Sequence, residues 1–348
     1  MHFQRHSTRL LACLSELAET IASRGETDGP LSTYSATIGD LPASSVLIVE
    51  AEVRAFWDLY LNMRQGTLQR LLHPAPVVRR PSELLAQASE PRLATLYIFH
   101  RNGWLRHEAL TIWSAPPANP LEFAAIAQRL NDWVPEVRRA ALRCAERHFP
   151  HTAPAVIAAA APFLLEHARY RQRWSDDERA VLDAALYRAD VLGLLVDWFV
   201  NPSSGRVGTV LRQAMRRPDI DAVLPSIARD ARPPAIRAIA MEALVLRRAR
   251  WLIGYDYEWV DKRYGIRRRV PQYAERPIVR DDIDATALLS MGARDRAPLV
   301  RRVTARLLLQ LSDGATPAHD RIAQQLAGDN VSSVSAIATY YLRERAKV

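Results

Sequence analysis

An apolar residue followed by arginine recurs along this chain. It stands ahead of a helix rich in small residues and five or six positions behind an acidic turn. The pairs are Leu105-Arg106, Val137-Arg138, Ile236-Arg237 and Val300-Arg301, with a degenerate Val334-Ser335 at the end. Asp132, Asp230, Asp295 and Asp329 precede all but the first pair. The first interval is 32 residues and the last 34, and the longer gaps of 99 and 64 would hold about three and two units of that length. Val207, after Asn201-Pro202, marks one candidate hidden unit. A period of this size with helical spacing inside it restricts the chain to stacked helical hairpins, because one hairpin is too small to bury its own apolar face.

Local chemistry agrees with that restriction. Asn131–Glu146 runs Asn-Asp-Trp-Val-Pro-Glu-Val-Arg-Arg-Ala-Ala-Leu-Arg-Cys-Ala-Glu. Pro135 suits a first helical turn, where its missing N–H is not needed. An Asp in the turn accepts orphan N–H groups and favours the positive end of the helix. Val137, Ala141, Leu142 and Ala145 then form one apolar stripe at helical spacing. With only 13 glycines in 348 residues, the chain suits helices joined by short turns.

At Asn131–Glu146 and again at Arg294–Leu311 the chain resembles the HEAT-repeat family and its HEAT-like relatives. The resemblance covers roughly residues 90–348, with a poor match at 150–200 and a break at 250–285. It implies an all-α fold, a right-handed α-α solenoid of helical hairpins; the break in the pattern adds a projecting insertion, a β-hairpin or an ordered loop, near 251–280. It also implies that the turn Asp and helix Arg interact along a ladder, which makes Asp132 and Arg138 structural. Residues 1–90 are expected to form an irregular helical N-terminal cap on a 91–348 array. Within it, Thr8–Ser23 carries Leu10, Leu11, Leu14, Leu17 and Ile21 on one side, and Val49, Val53, Phe56, Trp57 and Tyr60 mark a second helix.

Composition narrows the chemistry. Cys13 and Cys144 are the only cysteines, too few for a disulfide framework or a thiolate metal cage, and their expected state is two free thiols in a reducing compartment. The nine histidines show no ligand spacing, and Gly-rich phosphate loops, Gly-x-Ser-x-Gly elbows and His-Glu-x-x-His helices are missing. No metal and no cofactor is therefore expected. The longest uncharged apolar run, 153–165, contains Pro154 and Pro162 and falls short of the ~20 residues of a membrane span. Without a leader-like segment in the residues read, the expectation is a cytoplasmic protein with no membrane partner. Asp176, Asp177 and Glu178 read as a helix start.

Charge is informative only by its placement. Of 47 basic residues, 45 are arginine, a skew that a GC-rich genome produces by itself, so the net +9 does not by itself name a polyanion. Residues 201–280, however, alone carry a net +9. Inside that segment the helical pattern fails at 247–280, where ten basic and four acidic residues mix with six Trp and Tyr side chains. Tyr255, Tyr257 and Trp259 alternate with acidic residues in a strand period, Asp261–Gly265 reads as a turn and Ile266–Val270 as a return strand.

The candidate partner-binding residues are Arg247, Arg248, Arg250, Trp251, Tyr255, Tyr257, Trp259, Lys262, Arg263, Tyr264, Arg267, Arg268 and Arg269. One reading has the aromatics packing the loop onto the array while Arg267, Arg268 and Arg269 pair with Asp256, Glu258 and Asp261. The other has arginines neutralising phosphates and rings stacking on unpaired bases. The expected function is a repeat scaffold that binds a macromolecule, a protein first, through its concave helix surface and this insertion. The alternative is nucleic-acid binding, with a HEAT-like DNA glycosylase as its enzymatic extreme. Some alkylpurine glycosylases of HEAT-like build use an Asp flanked by Trp residues, and Trp57-Asp58, Asp132-Trp133 and Asp197-Trp198 are superficially similar. Here Asp132 reads as the repeat's turn residue, and Asp58 and Asp197 as helix-surface residues, so no catalytic residue is assigned.

Overall fold

The computed structural model describes residues 2–23, 26–64, 90–168, 173–202 and 205–347, and of residues 2–7, 22–23 and 57–64 the backbone only. Of the residues read as a cap, 65–89 and the side chains of Trp57, Asp58 and Tyr60 thus lie outside those described. The protein is 68% helical, with seventeen α-helices and one two-stranded antiparallel sheet among the described residues. It divides into two compact units, Met1–Leu164 with Tyr170–Val191, and Leu165–Arg169 with Leu192–Val348. No helix among the described residues is long and apolar enough to cross a membrane, and no cluster of three His, Cys, Asp or Glu side chains could hold a metal.

Helix starts in the first unit follow the signals in the sequence. Asn119 accepts from the Glu122 N–H at 2.9 Å ahead of the helix Pro120–Arg129. Ser175 and Glu178 form a reciprocal capping box at the start of Asp176–Leu186, as Asp176, Asp177 and Glu178 implied. The helix Pro135–His148 buries Val137, Ala140, Ala141, Cys144, Ala145 and His148, a stripe at the spacing of one helix face. The core gathers Leu14, Leu17, Tyr34, Ile38, Val53, Tyr97 and Phe99, with the Phe123 and Phe149 rings 4.3 Å apart. Glu50, on the helix Val46–Arg64, accepts from Arg129 at 2.6 Å, which ties that helix to Pro120–Arg129.

In the second unit, Pro234–Val245 packs on Leu224–Asp230, on Ala285–Ala293 and on Pro298–Gln310. Pro298–Gln310 in turn packs on Ser332–Arg345, and Ala285–Ala293 on Pro317–Ala327. The contact is close at Gly292, where an added Cβ would collide with Thr304 Oγ1 and the Met241 sulfur. Leu307 and Leu308 are fully buried, each a gain of roughly 1.5–3 kcal/mol over exposure.

The recurrent arginine turns out to have one geometry, repeated three times. Arg106 donates Nε and Nη2 to the two carboxylate oxygens of Asp132 at 2.9 and 2.8 Å, and Nη1 to the carbonyls of His100 and Arg101. Arg237 treats Asp295, Ala231 and Arg232 in the same way, and Arg301 treats Asp329, Asp295 and Arg296 likewise. Each Asp also accepts the N–H two residues on, from Val134, Ala297 and Val331 respectively. Arg138 closes the pattern by donating to the Asp132 carbonyl at 2.9 Å. A planar, permanently charged fork satisfies a turn's carbonyls and a carboxylate together, which an ammonium does not.

Two departures from the sequence reading emerge. The position six residues before Arg237 is Ala231, so Asp230 stands one residue out of register and instead faces Arg229 at 3.4 Å. Six residues before Arg106 stands His100, whose Nδ1 accepts from the Asn102 N–H at 3.0 Å, the bond the aspartates make elsewhere.

Candidate functional site

The segment 247–280 folds as a long hairpin. Strand β1 (Arg248–Asp261) pairs antiparallel with β2 (Ile266–Pro277), three residues earlier at each end than the expected insertion. Alternation of aromatic and charged residues drives the strands, since each pleat sends neighbours to opposite faces. At the tip, Asp261 Oδ1 accepts from the Arg263 N–H at 2.8 Å, and Gly265 supplies a φ of +68° that side chains resist.

An isolated two-stranded ribbon is marginal in water, and the base of this one is bolted down. The Arg276 guanidinium donates to the Met215 carbonyl at 2.8 Å, to the Arg217 carbonyl at 2.7 Å and to both oxygens of buried Asp221 at 2.9 and 2.6 Å. Asp221 also accepts from the Val279 N–H, and Gln213 Nε2 donates to the Leu252 carbonyl at 2.9 Å. Ala249 is buried against this seat. Arg247, read as a partner-binding residue, stands exposed at the start of the ribbon with a φ of +49°, and its guanidinium donates at 3.3 Å to the carbonyls of Arg280 and Ile283.

The register sorts the rest onto two faces. Trp259 lies opposite Arg267, Tyr257 opposite Arg269 and Tyr255 opposite Pro271. Between Leu252 and Gly254 the register slips at Ile253, a bulge that changes which parity points to a given face. In consequence Leu252 with Tyr273, and Arg250 with Glu275, fall on the same face as Tyr255, Tyr257 and Trp259. That face carries a stripe of stacked guanidinium and ring: Arg250 lies 4.1 Å over Tyr273, Arg269 3.6 Å over Tyr255 and Arg267 3.8 Å over Trp259. Exposed pairs of this type contribute about 0.5–1 kcal/mol each.

The opposite face mixes both signs of charge and is self-paired. Arg268 donates to Glu258 at 2.8 Å and Gln272 to Asp256 at 3.3 Å. Of the three arginines Arg267, Arg268 and Arg269, therefore, only the middle one meets a carboxylate of the hairpin. Beyond the base, the aromatics do not pack the ribbon onto the helices: Tyr257 is 59% exposed, Trp259 45% and Tyr264 80%. Trp251, half-buried beside Ala274, sits on this opposite face, and Lys262, Arg263 and Tyr264 crown the tip.

At its lower end the stripe opens onto a cleft of about 160 Å³. Arg212 from the helix Val207–Ala214, Glu242 from Pro234–Val245 and Gln310 from Pro298–Gln310 line it with Arg248, Arg250 and Tyr273 from the ribbon. Its carboxylate contacts are loose, at 3.4 Å for Arg212 to Glu242 and 3.5 Å for Arg248 to Glu275. Arg212, Tyr273 and the anchors Arg276, Gln213 and Asp221 were not among the residues singled out by sequence. The charge of residues 201–280 was the signal that bore on Arg212. Asp221 and Arg276 stand 55 residues apart, and nothing in the sequence links them.

Of the aspartates that stand beside Trp residues, Asp58 lies outside the described side chains, and Asp132 has its carboxylate engaged by structural partners. Asp132 is buried and accepts from Arg106, Arg129 and the Val134 N–H. Burial alone would push its carboxyl up. The Arg106 hydrogen bonds, the charges of Arg129 and Arg106 and the Val134 N–H outweigh that and hold it below the usual carboxylate range. Trp133 points outward, 67% exposed, and Asp197 lies exposed on a helix. No known protein family, curated protein or solved structure matches the chain.

Proposed function

We propose that the chain is a HEAT-like helical-repeat scaffold, a right-handed α-α solenoid in plan, which binds an anionic macromolecule through the ribbon formed by β1 and β2. The repeated Arg–Asp bridge supports the repeat reading, because the same donors meet the same acceptors at the 106, 237 and 301 positions. The observation that carries the function is the stripe of stacked arginines and rings on one face of the ribbon. Arg250, Arg267 and Arg269 share that face with Tyr255, Tyr257 and Trp259, and Glu275 at its base is the one carboxylate among them, while Asp256, Glu258 and Arg268 lie on the other face. An exposed stripe of rings and cations is the composition of a recognition surface. The glycosylase extreme gains nothing from Asp132, whose acceptor oxygens are already engaged.

Retention on an immobilised polyanion such as heparin tests this. Arg267→Gln/Arg269→Gln should elute at distinctly lower salt than the wild type. Arg296→Gln/Arg306→Gln, an equal charge loss away from the ribbon, should elute close to it. Equal shifts for both pairs would mean that net charge alone does the binding and would sink the proposal.

A further inference from the structure

Resting on the reading that the ribbon binds an anionic macromolecule, we infer that its partner is a single-stranded nucleic acid. The strand would run along the stripe, with a backbone phosphate seated in the basal cleft among Arg212, Arg248 and Arg250. Spacing is the first argument. Tyr255, Tyr257 and Trp259 project from one face at every second residue, about 6.7 Å apart along a strand. Stacked bases in a duplex rise only about 3.4 Å per nucleotide. The rings therefore match an extended strand whose bases are unstacked, and a duplex would offer them no base faces.

Chemistry is the second argument. Arg267 and Arg269 lie 3.8 and 3.6 Å over the Trp259 and Tyr255 rings, which sets beside each ring a guanidinium fork of the kind that phosphate oxygens accept bidentately. Every base has a π-face, so ring stacking tolerates any sequence. Continuity is the third. The bulge at Ile253 keeps Arg250 and Tyr273 in line with the distal rings, so the stripe runs about 30 Å from the cleft to Trp259 without a change of face. In the cleft, Arg248 and Arg212 have only loose carboxylate contacts, at 3.5 and 3.4 Å, and an incoming phosphate would compete for both. An acidic protein surface would satisfy the guanidiniums but has no repeating planar group for three rings at strand spacing.

Fluorescence anisotropy with the full chain decides the matter, using a labelled oligothymidylate of about 12 nucleotides, a duplex of the same length, and polyglutamate. The single strand should bind at least tenfold tighter than either competitor. Trp259→Leu should weaken it by about tenfold and Trp259→Phe should restore most of the loss, a readout that general destabilisation would not give. Arg212→Gln/Arg250→Gln should weaken the single strand and flatten its salt dependence. Duplex binding as tight as single strand, or a Trp259→Leu variant with unchanged affinity, overturns the inference. If polyglutamate binds as tightly as the oligonucleotide and depends on Arg267 and Arg269, the anionic-partner reading survives and the nucleic-acid assignment falls.

Discussion

Replacing Asp132 by alanine distinguishes a structural carboxylate from a catalytic one. In the native protein Asp132 accepts from Arg106 through both oxygens, from Arg129 at 2.9 Å and from the Val134 N–H at 3.0 Å. Both Arg106 and Asp132 side chains are essentially inaccessible, at 0% and 1% exposure. Removal of the carboxylate therefore leaves the Arg106 guanidinium buried with only two carbonyls, beside the second charge of Arg129. Breaking a buried pair in this way costs about 3–5 kcal/mol, a large share of the ~5–15 kcal/mol that holds a domain folded. The same substitution at Asp329, where Arg301 is 15% exposed, should cost about 1–2 kcal/mol, because water partly replaces the lost partner.

The chain supplies its own probe for this measurement. Cys13 and Cys144, its only two thiols, are both buried in the first unit, and burial pushes the Cys144 thiol up to about 12. Thiol labelling across a urea gradient consequently reports unfolding around these two cysteines. The midpoint should fall sharply for Asp132→Ala and much less for Asp329→Ala. A loss below about 1 kcal/mol for Asp132→Ala would refute the buried-pair argument and reopen a catalytic role for the Asp132-Trp133 pair.

Three further outcomes follow from the same contacts. Asp132, Asp295 and Asp329 are all held below the usual carboxylate range by arginine partners, so their folded values lie below their unfolded ones. The stability they contribute is fully present above about pH 4–5 and is lost as pH falls through the depressed values; urea midpoints should be flat from pH 7 to 5 and drop steeply below 4, and a rise in stability on acidification would contradict this. Gly292→Ala forces a methyl group against Thr304 and Met241 and should cost about 1–3 kcal/mol, measurable as a lowered thermal midpoint. Arg276→Lys should leave helical circular dichroism intact but speed tryptic cleavage within 248–277, because one ammonium cannot hold Asp221 and the backbone carbonyls together; unchanged cleavage would show that the anchor is not needed.

The elements most legible in the sequence were those with local causes. Pro135, Pro234 and Pro298 begin helices, Ser175 with Glu178 caps one, and the Tyr255–Trp259 alternation makes a strand. The recurrence of turn Asp and helix Arg was legible as a pattern, but which residues meet was not: the carboxylate bridge joins Asp132 to Arg106, 26 residues earlier, and Arg138 reaches the Asp132 carbonyl. Asp230 misled because a one-residue offset is invisible to spacing that already varies by one. His100 escaped because an imidazole nitrogen doing a carboxylate's work follows no composition rule. For the site, the rings and arginines could be read but not their grouping. That depends on the bulge at Ile253 and on the seat formed by Gln213, Asp221 and Arg276, all set by contacts distant in sequence.

Salt dependence tests the central claim most directly, since it counts the phosphates that the stripe neutralises. Each phosphate contact on a single strand contributes about −0.7 to the slope of log K against log salt. With Arg212, Arg248, Arg250, Arg267 and Arg269 engaged, oligothymidylate binding should show a slope of about −3.5, and Arg267→Gln/Arg269→Gln should reduce its magnitude by about 1.4. The same slope in the variant and the wild type, or a slope near zero in both, would contradict a nucleic-acid track on this face of the ribbon.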